Sequence, residues 1–109
     1  MVGKYRVITL CGSTKFKDEF LQAQKDLTLQ GNIVLSVGCF GHSGDDEVFA
    51  TPGLKEMLDD MHKRKIDMSD AICVINKDGY IGESTESEIL YALAQHKDII
   101  YMEEAHGIS

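Results

Sequence analysis

The stretch Tyr5-Arg6-Val7-Ile8-Thr9-Leu10-Cys11-Gly12-Ser13-Thr14-Lys15-Phe16 decides the reading of the fold. Tyr5 to Cys11 is a largely apolar, β-branched run, the pattern of a strand buried on both faces. It stops at Gly12-Ser13-Thr14, which reads as a turn. From Phe16 the period changes: Phe16, Phe20, Ala23 and Leu27 recur at spacings of three and four, one stripe of a helix. Gly31-Asn32 ends that helix. A buried strand feeding an amphipathic helix is the first half of a βαβ unit.

The same alternation continues down the chain. Ile33–Val37 predicts a second strand, and residues 38–50, with three glycines and three acids, predict a long loop. Thr51-Pro52 has the form of a helix start, with proline in the first helical position. Leu54, Met57, Leu58 and Met61 then form its expected inward face. Ala71–Ile75 predicts a third strand, 76–83 a loop, Ser84–Lys97 a third helix with Ile89, Leu90 and Leu93 inward, and Ile99–Met102 a fourth strand. Strand and helix alternating in this way predict parallel βαβ units with right-handed crossovers. The expected fold is α/β: a small doubly wound parallel sheet of about four strands, flavodoxin-like, in the order 2-1-3-4, with helices on both faces. Ligands of such folds sit beyond the carboxyl ends of the strands, where the chain switches direction between the first and third.

With 109 residues, the chain fits one domain over 1–109. A net charge of -7 argues against a nucleic-acid surface, which needs clustered Lys and Arg, but leaves room for a small phosphorylated ligand. Cys11, Cys39 and Cys73 are odd in number and lack CxxC spacing, so reduced thiols in a cytoplasmic protein are expected. No run is long enough for a signal h-region or a membrane span. A domain this small leaves sheet edges and helix flanks to cover, which predicts a homo-oligomer.

Two segments meet at the switch point. In the first, Gly12 allows a tight turn, and Ser13 and Thr14 present hydroxyls and amides at a helix start, either as an ordinary cap or as an anion cradle. In the second, Gly79-Tyr80-Ile81-Gly82-Glu83-Ser84-Thr85-Glu86-Ser87-Glu88, the glycines permit close backbone approach. Thr85 and Glu88 there fit a capping box. The alternative for Glu88 is chemical: a carboxylate in the first turn would be held ionised by the helix dipole and could attack a sugar C1′. His62 and Lys65, one turn apart, would either border the crevice or belong to a solvated face. Cys39 and His42 lack partner ligands for a structural zinc, so neither metal nor cofactor is expected. Asp70 reads as a turn residue.

Cys11-Gly12-Ser13 after the first strand, with Gly82-Glu83-Ser84-Thr85-Glu86-Ser87-Glu88-Ile89-Leu90-Tyr91-Ala92 after the third, resembles the nucleoside 2-deoxyribosyltransferases. It is also similar to their relatives, the nucleoside 5′-monophosphate N-glycosidases. The resemblance implies cleavage or transfer of an N-glycosidic bond, with Glu88 as nucleophile and Ser84-Thr85 as the small pair before it. Asp78, two residues beyond Asn76, takes the place of the acid the family often carries after its third strand. Cys11, Gly12, Ser13, Phe16, Phe40, Asn76, Gly82, Ser84, Thr85 and His62 would contact the nucleoside or nucleotide, with Phe40 stacking on the base and Asp45 or Asp46 bonding its edge. The alternatives are a nucleotide-binding module of the same fold without turnover and, more remotely, a flavin carrier.

Overall fold

The computed structural model describes residues 3–103. Four strands, β1 (Val7–Gly12), β2 (Ile33–Leu35), β3 (Ala71–Ile75) and β4 (Asp98–Tyr101), form one sheet in the order β2-β1-β3-β4. Every pairing is parallel, with Ile8 opposite Ala71 and Ala71 opposite Asp98. The expected α/β fold and strand order are therefore present. The helices are α1 (Lys17–Leu29), the short α2 (Glu47–Ala50), α3 (Leu54–Asp67) and α4 (Glu83–Ala94). None is long and apolar enough to cross a membrane.

Side-chain alternation along β1 and β3 sorts the core into two layers. Ile8, Leu10, Cys73 and Ile75 pack with Phe20 of α1 and with half-buried Ala23 and Leu27. Cys11, Ile72 and Val74 point the other way, against Ile66 of α3 and Ala92 of α4. Thr9, on the same face as Cys11, hydrogen-bonds through its hydroxyl to the Lys65 carbonyl and to Ser69. Asp70 is a turn residue as expected: its carboxylate accepts the Val7 amide at 2.8 Å and starts β1.

Several local expectations need correction. The 38–50 loop contains a 3-10 turn at Gly41–Ser43 and the one-turn α2. Thr51-Pro52 precedes α3 without opening it, because Gly53 adopts φ +80, outside the helical region, and Leu54 N–H bonds to the Thr51 carbonyl. The buried stripe of α3 runs through His62 and Ile66, leaving Met57 and Met61 exposed. On α4 the inward residues are Thr85, Ile89 and Ala92, where the small Ala92 allows close approach to the sheet, while Leu90 and Leu93 face outward.

Candidate active site

A cleft of about 230 Å³ opens where β1 and β3 end. Gly12, Ser13 and Thr14 form its floor at the end of β1. Glycine is required there by packing: a Cβ on Gly12 would stand 2.9 Å from the Ile75 Cβ and 3.0 Å from the Ile75 carbonyl. The 41–43 turn is latched onto this loop. The Thr14 hydroxyl pairs with His42 Nδ1 at 2.7 Å, and the Ser43 hydroxyl donates to the Thr14 carbonyl at 2.8 Å. Phe49 of α2 lies against the His42 ring, with 4.8 Å between ring centres, and lines the cleft.

The opposite wall is the start of α4. Gly82 is its N-cap and no side chain caps it. Glu86 N–H bonds to the Gly82 carbonyl, so the preceding amides of the first turn have no intrahelical acceptor. The Thr85–Glu88 capping box is therefore absent: Thr85 lies within the first turn, and Glu88 lies in the second. Gly82, Glu83, Ser84, Thr85 and Glu88 line the cleft from this side, and Lys55, Leu58, Asp59 and His62 line it from α3.

Glu88 is the least exposed carboxyl lining the cleft. Its side chain is 14% exposed and lies 3.8 Å from His62 Nε2, which is 3.4 Å from the Cys11 Sγ. Three elements supply this cluster, because strand alternation turns Cys11 toward the α3–α4 layer, where His62 and Glu88 face it. Burial sets its electrostatics. Desolvation pushes the Glu88 carboxyl up from 4.5 to about 7; the Cys11 thiol beside it pulls the other way, and Asp59 adds to the rise. The expectation that the helix dipole keeps Glu88 ionised is thus corrected: the residue sits past the first turn, and burial outweighs the dipole. Burial and nearby Lys65 bring His62 down from 6.5 to about 4, so at neutral pH His62 and Glu88 are not an ion pair. Burial also raises the Cys11 thiol well above its ordinary value.

Of the residues expected to bind substrate, Gly12, Ser13, Gly82, Ser84, Thr85 and His62 line the cleft with Glu88, and Cys11 lies directly behind them. The other three, Phe40, Phe16 and Asn76, are placed elsewhere, as is Asp78, the expected acid. Phe40 packs edge-on against Phe20, 5.5 Å between ring centres, at the α1 side of the sheet. Phe16 also joins that layer and meets Tyr80 edge-on. Asn76 clamps the backbone of Glu103, donating to its carbonyl at 2.9 Å and accepting its amide at 2.8 Å. Asp78 stands in a 3-10 turn at φ 54, its amide bonded to the Glu103 carboxylate, and is not among the cleft residues. Asp45 closes its own loop by accepting the Phe40 amide, and Lys65 donates to the Ser36 carbonyl.

Sequence reasoning gave no role to Lys55, Asp59, Phe49, Tyr80 or Glu83, although Tyr80 and Glu83 lie in the segment it placed at the switch point. Lys55 and Asp59, an i,i+4 pair at 2.9 Å, precede His62 by seven and three positions, a spacing that puts all three on one helical face. Nothing in the sequence marked Phe49. Comparison of the chain with protein-family models and with curated proteins finds no match.

Proposed function

We propose that the chain cleaves or transfers the N-glycosidic bond of a nucleoside or nucleoside 5′-monophosphate, with Glu88 as nucleophile. The observation that carries this reading is a largely buried carboxyl, in the second turn of α4, on the wall of a small cleft that the uncapped start of the same helix also lines. In this reaction the ionised Glu88 oxygen attacks C1′ through an oxocarbenium-like state, the base departs, and a glycosyl ester forms on Glu88. Water then releases the sugar, or a second base accepts it. The amides and hydroxyls of Ser84 and Thr85, with Ser13 across the cleft, would hold the 5′ end by hydrogen bonds to a hydroxyl or phosphate. Asp78 has no part in this scheme, and the lining carboxyls besides Glu88 are Asp59 and Glu83. Asp59 is paired with Lys55 at 2.9 Å on the α3 wall, a position suited to orienting substrate.

The reading places the protein in the cytoplasm and includes self-association. Helices α3 and α4 pack together, and each leaves an apolar pair exposed, Met57 with Met61 and Leu90 with Leu93. Sedimentation would test that part.

The test of the reaction is free-base release from ribo- and deoxyribonucleosides and their 5′-monophosphates, by wild type and Glu88→Ala in parallel. Release by wild type alone is expected, with ligand binding retained in the variant. The misplaced Asp78 favours one rival, a nucleotide-binding module, which would give tight binding and no base release from any substrate.

A further inference from the structure

We propose that Cys11, His62 and Glu88 form a binding site for a thiophilic divalent cation of the zinc class, which when filled withdraws the Glu88 carboxylate from reaction. The cluster is the only group of three or more potential metal-ligating side chains in such proximity among the described residues. One sulfur, one nitrogen and one oxygen donor come from β1, α3 and α4, and their ligand atoms all lie within 4.8 Å of one another. With zinc–ligand bonds of 2.0–2.3 Å, neighbouring ligands of a tetrahedral ion stand roughly 3.5 Å apart. The Cys11–His62 and His62–Glu88 separations, 3.4 and 3.8 Å, already match that spacing.

The donor set is borderline-soft, which selects zinc, cobalt or copper over magnesium or calcium. Three protein ligands with a fourth position left over is the arrangement of zinc sites that keep an open coordination place. An ion has a way in, because His62 and Glu88 line the cleft in front of buried Cys11. The His62 ring presents Nε2 to both partners, 3.4 Å from the Cys11 Sγ and 3.8 Å from the Glu88 carboxylate. Binding expels the thiol proton of Cys11 and whatever proton Glu88 carries, between one and two per ion.

That the ion inhibits rests on the glycosidic reading, whereas the site itself does not. The first measurement is therefore a titration of the metal-stripped full chain with Co²⁺ under reducing, anaerobic conditions. Wild type is expected to bind one equivalent, with thiolate-to-cobalt charge-transfer absorption and the visible bands of a four-coordinate ion, displaced by Zn²⁺ and untouched by Mg²⁺. Cys11→Ser should lose the charge-transfer band. His62→Gln should weaken binding by more than roughly 100-fold, the upper end of what loss of a merely supporting residue costs. Either variant suffices if the other fails to fold. Absence of the band in wild type overturns the proposal, as does a band that survives unchanged in both variants, which would place the ion on Cys39 or Cys73. If the band depends on Cys11 but no substrate releases its base, the metal site stands and the glycosidic reading falls. If base release occurs and Zn²⁺ at one equivalent leaves it untouched, the inhibitory role is refuted.

Discussion

Replacing Glu88 by glutamine should make the protein more stable at neutral pH and, under the proposed glycosidic reaction, abolish base release. The carboxyl rises from 4.5 in the unfolded chain to about 7 when folded, because burial disfavours its charged form. A group with a raised folded pKa contributes fully below its unfolded value, and that contribution is lost as pH rises through the folded one. Between pH 4.5 and 7 wild type therefore loses about 1.4 kcal/mol per pH unit on account of Glu88, about 3 kcal/mol in all. Glutamine keeps the shape and cannot ionise. The stability difference between Glu88→Gln and wild type should thus be constant below pH 4.5, climb in favour of the variant through pH 7, and level off above it. Urea unfolding at half-unit pH steps, with a chelator present to keep the cluster metal-free, measures this directly. A difference that does not change with pH would mean that Glu88 titrates alike in both states, and the buried-carboxyl account would be wrong.

His62→Gln should show the opposite slope. The wild-type histidine, brought from 6.5 down to about 4, contributes stability above pH 6.5 that is lost as pH falls toward 4, so the variant gains relative to wild type on acidification. The two groups oppose each other between pH 4.5 and 6.5, and their combined contribution to wild-type stability should be nearly flat there. If Glu88 is the nucleophile, kcat/KM should rise with pH and reach a plateau above about 7, as read from base-release rates. Gly12→Ala should cost about 1–3 kcal/mol in chemical denaturation, since its Cβ would press on Ile75. Asn76→Ala should cost a similar amount, about 1–3 kcal/mol, by freeing the backbone groups of Glu103, and should leave ligand affinity unchanged.

The architecture was legible because it is written in periodicity. Continuous apolar runs at Tyr5–Cys11 and Ala71–Ile75 and the helical stripe from Phe16 dictate parallel strands and crossovers, and strand order follows from connection rules. The strand-end position of the cleft and its residues Gly12, Ser13, Ser84, Thr85 and Glu88 followed from the same topology. The helix faces were less legible. On α3 the rows 54/57/58/61 and 54/58/62/66 are both helical, and hydrophobicity favours the first. The observed packing takes the second because His62 finds Cys11 and Glu88 to meet it. Phe40, Asn76 and Asp78 were misjudged for a related reason. A loop aromatic or polar residue suits a ligand or a tertiary contact equally well in sequence, and here Phe20 and Glu103 claim them.

The two-layer core has one further consequence. Leu10 and Cys11 are neighbours in the chain, yet they belong to opposite sides of the sheet. Inserting or deleting a single residue between Val7 and Gly12 would exchange those sides. The thiol would pass into the α1 layer, and an insertion ahead of Leu10 would turn that leucine toward His62 and Glu88. A change of two residues would restore the arrangement. The make-up of the Cys11–His62–Glu88 cluster is thus tied to whether a count along β1 is odd or even, although most of that strand never touches the cleft.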